Sequence, residues 1–201
     1  MTRLGLALLV AIGLFGRPYE ATEPMLDAAG RALLDPLRDE ALRPVELIAR
    51  LDLAASSVVA DIGAGPGFLS IPLAKVVSRG EVVATDIRAD YLEVLRHRAR
   101  EANLENVSTR LVGPDHPGLA PASIDLVVLC QVDHYLRDRV HFFEKLALTL
   151  RPGGRIAIIN STQHRGQVVA AAELASLDPV DEWQPSPMFF VTVFRPHRSA
   201  R

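Results

Sequence analysis

The sequence of 201 residues contains one cysteine, Cys130, and has little excess of charge of either sign. A single cysteine cannot form an internal disulfide or a cysteine-rich metal site, and we predict no metal ion in this protein. The formal net charge of -2 argues against electrostatic binding to nucleic acid, which normally needs a basic face. With 49% hydrophobic and 23% charged residues, the composition instead predicts one globular domain with a hydrophobic core.

The chain also lacks an apolar run in its N-terminal part that is long enough to span a membrane as a standard helix. Residues 4–15, LGLALLVAIGLF, follow Arg3 and fall short of the about 20 apolar residues that such a helix needs. The run is typical of a secretion signal, although the nearest cleavage motif, Tyr-Glu-Ala at 19–21, is weak. We predict that residues 1–22 are a signal peptide or N-terminal anchor, so that the protein is exported, periplasmic or membrane-associated. A buried helix in a cytoplasmic protein is the alternative.

From residue 58 onwards, short apolar runs alternate with amphipathic stretches, which predicts a parallel sheet with helices on both faces. The last two runs, VDEWQP and MFFVTVF, are separated by only a short turn and must therefore be antiparallel. We predict an α/β fold with a Rossmann-like, doubly wound, seven-stranded sheet, mostly parallel with an antiparallel C-terminal hairpin strand, in a single domain over residues 23–201. The other predicted strands are 58–62, 81–87, 107–112, 124–130 and 155–160, and the predicted helices are 44–51, 69–77, 89–102, 139–150 and 167–177.

Three glycines follow the first predicted strand in the stretch VVADIGAGPGFLS. Gly63 and Gly65 allow a ligand to approach the backbone at the edge where doubly wound sheets bind ligands, and Gly67 lets the helix begin close to the strand. Packing in a tight turn is the alternative explanation. A dinucleotide fingerprint would need glycine at Phe68, and Pro66 removes an amide that a pyrophosphate could use. The spacing therefore opposes a nicotinamide oxidoreductase.

Asp86 ends the next predicted strand, in EVVATDI. A carboxylate at this place suits a bidentate hydrogen bond to the two hydroxyls of a ribose. The alternative is an N-cap for the helix that begins near Ala89. Together with the glycines, the ribose interpretation is favoured.

These segments together resemble the class I S-adenosylmethionine-dependent methyltransferases. VADIGAGPG resembles the first motif of that family, VVATDI its acidic second-strand motif and SIDLVVLCQVDHYL its fourth strand. LTLRPGGRIAII and MFFVTVF are similar to its helix-to-fifth-strand junction and its antiparallel seventh strand, so the resemblance covers roughly residues 38–196. It implies an enzyme that uses S-adenosylmethionine. A catalytically silent cofactor-binding module with a partner or regulatory role is the alternative.

The resemblance also implies which residues contact the cofactor. Asp61 would face its amino group, Asp86 its ribose hydroxyls and Ile87 its adenine. Asp115 follows the third strand one position later than the acidic residue that the family commonly uses for the adenine amine. Cys130 would lie beneath the cofactor or act only as a small buried hydrophobe. The full set is Asp61, Gly63, Gly65, Gly67, Asp86, Ile87, Asp115 and Cys130.

The acceptor side is expected at the turn after the fourth strand. His134 titrates near neutrality and is the candidate general base, with Asp133 to orient it and Tyr135 to contact the substrate. Capping or packing of the following helix is an alternative role for His134, and His164 is a second acceptor-side candidate. The fourth strand lacks the Asn/Asp-Pro-Pro-aromatic signature of amine methylation on bases or glutamine side chains. This absence disfavours those substrates without identifying another. Because no insertion between strands is long enough to form a substrate cap, we expect a small-molecule acceptor in an open site.

Overall fold

The computed structural model describes residues 26–197, so the predicted signal or anchor over residues 1–22 lies outside the described residues. Helices and strands largely alternate from residue 58 onwards, but no helix separates the third strand from the fourth or the sixth from the seventh. The helices are α1 (Ala28–Ala32), α2 (Pro36–Leu42), α3 (Pro44–Arg50), α4 (Ser70–Val76), α5 (Ala89–Glu101), α6 (Arg139–Thr149) and α7 (Arg165–Leu174). The strands are β1 (Val58–Ile62), β2 (Glu81–Asp86), β3 (Val107–Leu111), β4 (Ile124–Cys130), β5 (Leu150–Ser161), β6 (Leu177–Ser186) and β7 (Phe189–Pro196).

The seven strands form one sheet in the order β3-β2-β1-β4-β5-β7-β6. The first five strands pair in parallel, and β7 is antiparallel to both β5 and β6. This confirms the predicted doubly wound sheet with its antiparallel C-terminal hairpin. The strand order reverses direction between β1 and β4, and ligands of such sheets bind outside the carboxyl ends of the strands at this point.

Both faces of the sheet are covered, because alternate residues of each central strand point to opposite sides. Val59 and Leu126 belong to a buried cluster with side chains of α2, α3 and α4, including Leu47. Ala60 and Val127 belong to a second cluster with α6 and α7 on the other side. The central strands are thus held between two helical layers, which gives their carboxyl ends a rigid base.

Several boundaries differ from the expected ones, and two of the differences have a clear physical reason. The helix predicted over residues 167–177 ends at Leu174, because Ser176 takes a left-handed conformation with φ of 56° and Leu177 begins β6. Strand β5 begins at Leu150 and not near residue 155, since Leu150 already pairs with Ile124 across a register shift. No helix within residues 26–197 is long and apolar enough to cross a bilayer.

Candidate functional site

A cavity of about 610 Å³ opens at the carboxyl edge of β1, β2 and β4, a volume typical of small-molecule sites. Loops after four strands and side chains from the N-terminal helices form its wall. Two of the predicted site residues, Gly67 and Asp133, are not part of this wall. Those that line it are Asp61, Gly63, Gly65, Asp86, Ile87, Asp115, Cys130, His134 and Tyr135.

The glycine loop is tied to Asp86 by a direct hydrogen bond. Gly65 N–H donates to Asp86 Oδ2 at 2.8 Å, and Arg88 N–H donates to Asp86 Oδ1 at 2.9 Å. Arg88 is the N-cap residue of α5, so the carboxylate orders the turn before that helix without being its cap. Asp86 is 8% exposed and lies on the cavity wall. One carboxylate thus orders two of the loops that border the cavity, and each of its oxygens retains a lone pair.

Glycine is required at both ends of this loop by conformation and by space. Gly63 has φ of +64°, and a Cβ there would lie 2.5 Å from Val132 Cγ2. Gly67 has φ of +91°, and a Cβ there would overlap Leu95 Cδ1 of α5. The structure therefore places Gly67 at the contact between the loop and α5, on the side away from the cavity.

Asp61 is a buried carboxyl, 2% exposed, at the end of β1. Ser70 Oγ donates to its Oδ2 at 2.6 Å. Burial raises the pKa of Asp61 from 3.8 to about 6, assisted by the charge of Asp86 and opposed by Ser70 and by the guanidinium of Arg38. Asp61 is therefore mainly ionised at neutral pH at a considerable desolvation cost.

This burial predicts a pH-dependent gain in stability for Asp61→Asn. Because the pKa is raised in the folded state, the native protein binds the extra proton between pH 3.8 and about 6, and its stability falls as the pH rises through this window. Asp61→Asn removes this loss of stability. Relative to wild type, the variant should gain roughly 1–3 kcal/mol more in free energy of unfolding at pH 8 than at pH 4. Urea denaturation at both pH values measures the difference. Asp39→Asn, at an exposed site, is the control, and an equal effect of Asp61→Asn at both pH values would contradict the assignment.

Arg38 of α2 is a wall residue that the sequence did not single out. Its guanidinium donates to Gln131 Oε1 at 3.0 Å and to the Leu33 carbonyl at 2.8 Å, and it lies 4.2 Å above the ring of Phe68. These contacts connect the N-terminal helices to the loop after β4 and bring a fixed positive charge into the cavity. The only local signal was the Asp-Pro pair at positions 35–36 that begins α2, which predicts a helix but no function.

Cys130 and Ile87 differ strongly in exposure, although both line the cavity. Cys130 is 9% exposed, and burial raises the pKa of its thiol to about 12, so the thiol stays protonated at neutral pH. Ile87 is 61% exposed, although it follows a buried strand. Cys130 thus behaves as a small wall-forming hydrophobe, whereas Ile87 offers an apolar surface to a ligand.

Asp115 lies on the opposite wall, in the loop after β3. It has φ of 59°, and its carboxylate accepts a hydrogen bond from the backbone N–H of Arg137 at 3.3 Å. Lys145 Nζ donates to the Asp115 carbonyl at 3.0 Å. The residue links the loop after β3 to the segment after β4, and its displaced position still reaches the cavity.

The predicted acceptor residues occupy a 3₁₀ turn, Asp133–Tyr135, directly after β4. Asp133 is fully buried and pairs with Arg139 at 3.1 Å, and it makes no direct hydrogen bond to His134. Asn160 stands between them: its Nδ2 lies 2.6 Å from Asp133 Oδ1 and 3.1 Å from His134 Nδ1. The sequence missed Asn160, although a polar residue at the end of an apolar strand was a usable signal.

The His134 ring has aromatic neighbours on two sides. It stacks on His164 with centroids 4.9 Å apart and an interplanar angle of 6°, and the Tyr135 ring lies 4.1 Å away. His134 and His164 meet because they follow β4 and β5, which are parallel neighbours with Cys130 opposite Ile159. His164 is not on the cavity wall, and Tyr135 is 79% exposed at its mouth.

Comparison with known proteins places this architecture in a family. Residues 60–156 match the family described as Methyltransferase domain. The chain is 35% identical over 127 residues to methyltransferase GfsG of Streptomyces halstedii, covering 62% of this chain and 45% of that protein. It is 36% identical over 109 residues to aklanonic acid methyltransferase DauC of Streptomyces sp. strain C5, covering 54% of this chain and 50% of that protein. The chain thus spans about half the length of these curated relatives.

Solved structures agree with this result at the level of the fold. A SAM-dependent methyltransferase from Aquifex aeolicus superposes with a TM-score of 0.78 at 21% identity, covering 84% of this chain and 98% of that chain. The sheet order, the glycine loop after β1 and the acidic end of β2 lie where the sequence motifs of the family predict them. Residues 60–156 therefore belong to the methyltransferase domain family, and the chain has the fold of the S-adenosylmethionine-dependent methyltransferases.

Proposed function

We propose that this chain transfers the methyl group of S-adenosylmethionine to a small-molecule acceptor. The observation that carries the proposal is a single cavity that joins two sets of residues. The glycine loop and Asp86 lie on its wall, and so do His134 and Tyr135 from the turn after β4. The cofactor supplies an activated methyl group on a sulfonium, so the chain mainly needs to align the acceptor and exclude water.

The wall residues fit the chemical groups of the cofactor. Asp61 and Arg38 offer opposite charges to the ammonium and carboxylate of an amino acid, and both already interact electrostatically across the cavity. Asp86 has carboxylate oxygens for the ribose hydroxyls. Ile87 and Asp115 offer an apolar surface and a polar group to the adenine. Gly63 and Gly65 keep the backbone free of side chains between these groups.

The acceptor side suits a small molecule. His134 and Tyr135 offer polar groups on this side of the wall, and Tyr135 is 79% exposed. One relative, DauC, is named for its action on aklanonic acid, a small organic acid by its name. These observations support a small molecule as acceptor, and a carboxylic acid is the first class to test.

Transfer of labelled methyl groups tests the proposal. The purified chain should move tritiated methyl from S-adenosylmethionine into a small-molecule fraction of an extract and into members of a panel of carboxylic acids, phenols, thiols and amines. Mass spectrometry of the products then identifies the methylated atom. A protein that binds the cofactor in calorimetry but labels no fraction would contradict the proposal and favour the silent cofactor-binding module.

We propose further that residues 4–15 direct export or membrane attachment. The support is the apolar run behind Arg3 and its interruption by the Gly-Arg-Pro sequence at 16–18. Intact mass of the protein expressed in its source organism tests this. Loss of about the first 22 residues shows cleavage, and an intact chain in the soluble cytoplasmic fraction contradicts the proposal.

A further inference from the structure

The side-chain amide of Asn160 is held in one orientation by partners that each have a single hydrogen-bonding role. Its Oδ1 accepts from the backbone N–H of Ser161 at 2.7 Å, and its Nδ2 donates to Asp133 Oδ1 at 2.6 Å. A backbone N–H can only donate, and the Asp133 carboxylate, paired with Arg139, can only accept. Asn160 and Asp133 are both buried, so exchanging the two ends of the amide would leave unsatisfied groups out of reach of water. The Nδ2 end therefore faces Asp133.

This orientation determines the tautomer of His134. The same Nδ2 lies 3.1 Å from His134 Nδ1, so Nδ1 accepts and the single proton of the neutral ring is on Nε2. A second proton on Nδ1 would face the amide donor of Asn160. Burial also lowers the pKa of His134, with His164 and Arg139 acting in the same direction and Asp133 opposing them. Both effects favour the neutral ring, in which Nε2 carries the hydrogen.

A second histidine on the cavity wall has the same tautomer for a similar reason. Gly118 N–H donates to His116 Nδ1 at 3.0 Å, and a backbone amide cannot accept. Neutral His116 therefore also carries its proton on Nε2. The two cavity histidines offer N–H donors, and the lone pair of each ring is already used by the chain.

The carboxylates of the wall already accept hydrogen bonds from the chain, and the proposed function assigns their remaining lone pairs to the cofactor. Asp61 accepts from Ser70, Asp86 from two backbone amides and Asp115 from one. The thiol of Cys130 remains protonated because burial raises its pKa to about 12. The cavity is therefore better equipped to donate hydrogen bonds to an acceptor than to remove a proton from it.

We infer that His134 is a hydrogen-bond donor to the acceptor and not a general base, that Asn160 is the positioning residue that fixes its Nε2–H tautomer, and that the acceptor is a carboxylate. This inference rests on the proposed methyl transfer. It replaces the base role that the sequence suggested for His134. Asp133 then acts on His134 only through Asn160.

A carboxylate acceptor makes a base unnecessary. Carboxylic acids have pKa values near 4 and are ionised at neutral pH. One carboxylate oxygen forms the bond to the methyl carbon, the carbon–sulfur bond breaks and its electron pair stays on sulfur, so no proton is released. The other oxygen can accept the hydrogen bond from His134 Nε2–H, which orients the acceptor.

Nitrogen NMR of the full chain labelled with ¹⁵N-histidine tests the tautomer without cofactor or acceptor. The signals that are missing from the spectrum of His134→Gln identify the ring of His134. At pH 8, long-range proton–nitrogen correlations should show an unprotonated Nδ1 and a protonated Nε2 for this ring. Asn160→Ala should weaken this preference and raise the pKa of His134. A protonated Nδ1 in the wild-type protein overturns the inference even if methyl transfer is observed, and absence of transfer leaves the NMR result unaffected.

Activity on the carboxylic acids that the labelling assay identifies tests the role of the donor. Glutamine has a side-chain N–H donor but cannot act as a base, so His134→Gln should retain a larger part of the wild-type kcat/KM than His134→Leu. His134→Leu should lower it about 10- to 100-fold, mainly through KM. His141→Gln, exposed on α6, is the matched control. Equal losses in the Gln and Leu variants, or methylation only of neutral amines or hydroxyls, would overturn the inference.

Discussion

Replacing Gly67 with alanine should lower the free energy of unfolding by about 2–5 kcal/mol. The positive φ of Gly67 would cost about 1–2 kcal/mol with a Cβ, and the overlap with the buried Leu95 side chain about 1–3 kcal/mol more. Such a loss is a large part of the 5–15 kcal/mol that typically stabilises a domain. Urea denaturation of the chain without cofactor measures it directly.

The contact with Leu95 can be isolated by a double-mutant cycle. Leu95→Ala alone should destabilise the protein by about 2–5 kcal/mol because it leaves a cavity in the core. In Gly67→Ala/Leu95→Ala the new methyl group enters that space, so the double variant should be more stable than the sum of the single effects predicts, by about 1–3 kcal/mol. Gly166→Ala is the control, because a Cβ there meets nothing within 4 Å.

The same experiment separates two roles for Gly67. The sequence motif groups it with Gly63 and Gly65 as cofactor contacts, whereas the structure places it against α5. If Gly67→Ala keeps wild-type stability but loses affinity for S-adenosylmethionine, the residue is a ligand contact and the packing role is wrong. Additive effects in the double variant would also contradict the contact with Leu95.

The directions of the strands could be predicted because they follow from local patterns. Continuous apolar runs such as residues 124–130 predict buried parallel strands, and the short connection between the last two runs requires an antiparallel pair. By contrast, the end of α7 could not be predicted accurately. The stretch from Glu173 to Leu177 has no strong helix stop, and the strand begins there because Leu177 pairs with Pro196, far away in the sequence.

The loops after β1 and β2 that line the cavity could also be predicted from the sequence, since their residues lie in motifs with fixed spacing at the ends of these strands. Arg38 and Asn160 could not, because their roles depend on contacts between distant segments. Arg38 reaches Gln131 only when α2 packs beside the sheet, and Asn160 reaches His134 only because β4 and β5 are neighbours. A histidine can be recognised in a sequence, but its tautomer depends on such partners.

Replacing Asp86 with alanine should lower the affinity of the protein for S-adenosylmethionine by more than tenfold. The carboxylate is proposed to accept hydrogen bonds from the ribose hydroxyls, and hydrogen bonds to a charged group contribute about 1.5–3 kcal/mol, which corresponds to roughly 10- to 100-fold in affinity. Titration calorimetry measures the change. Asp90→Ala is the matched control, because Asp90 pairs with Arg88 in the same segment but is not part of the cavity wall.

Loss of affinity in Asp86→Ala has a second possible origin, since the same carboxylate accepts hydrogen bonds from Gly65 and Arg88 and so holds the loops in place. A cofactor analogue without ribose hydroxyls separates the two effects. If Asp86 contacts the ribose, the wild-type protein should bind the analogue more weakly than S-adenosylmethionine, and Asp86→Ala should bind both with similar affinity. If Asp86 only organises the loops, the substitution should lower the affinity for both ligands by the same factor. That outcome would remove Asp86 from the ribose site and leave it as the residue that shapes the glycine loop.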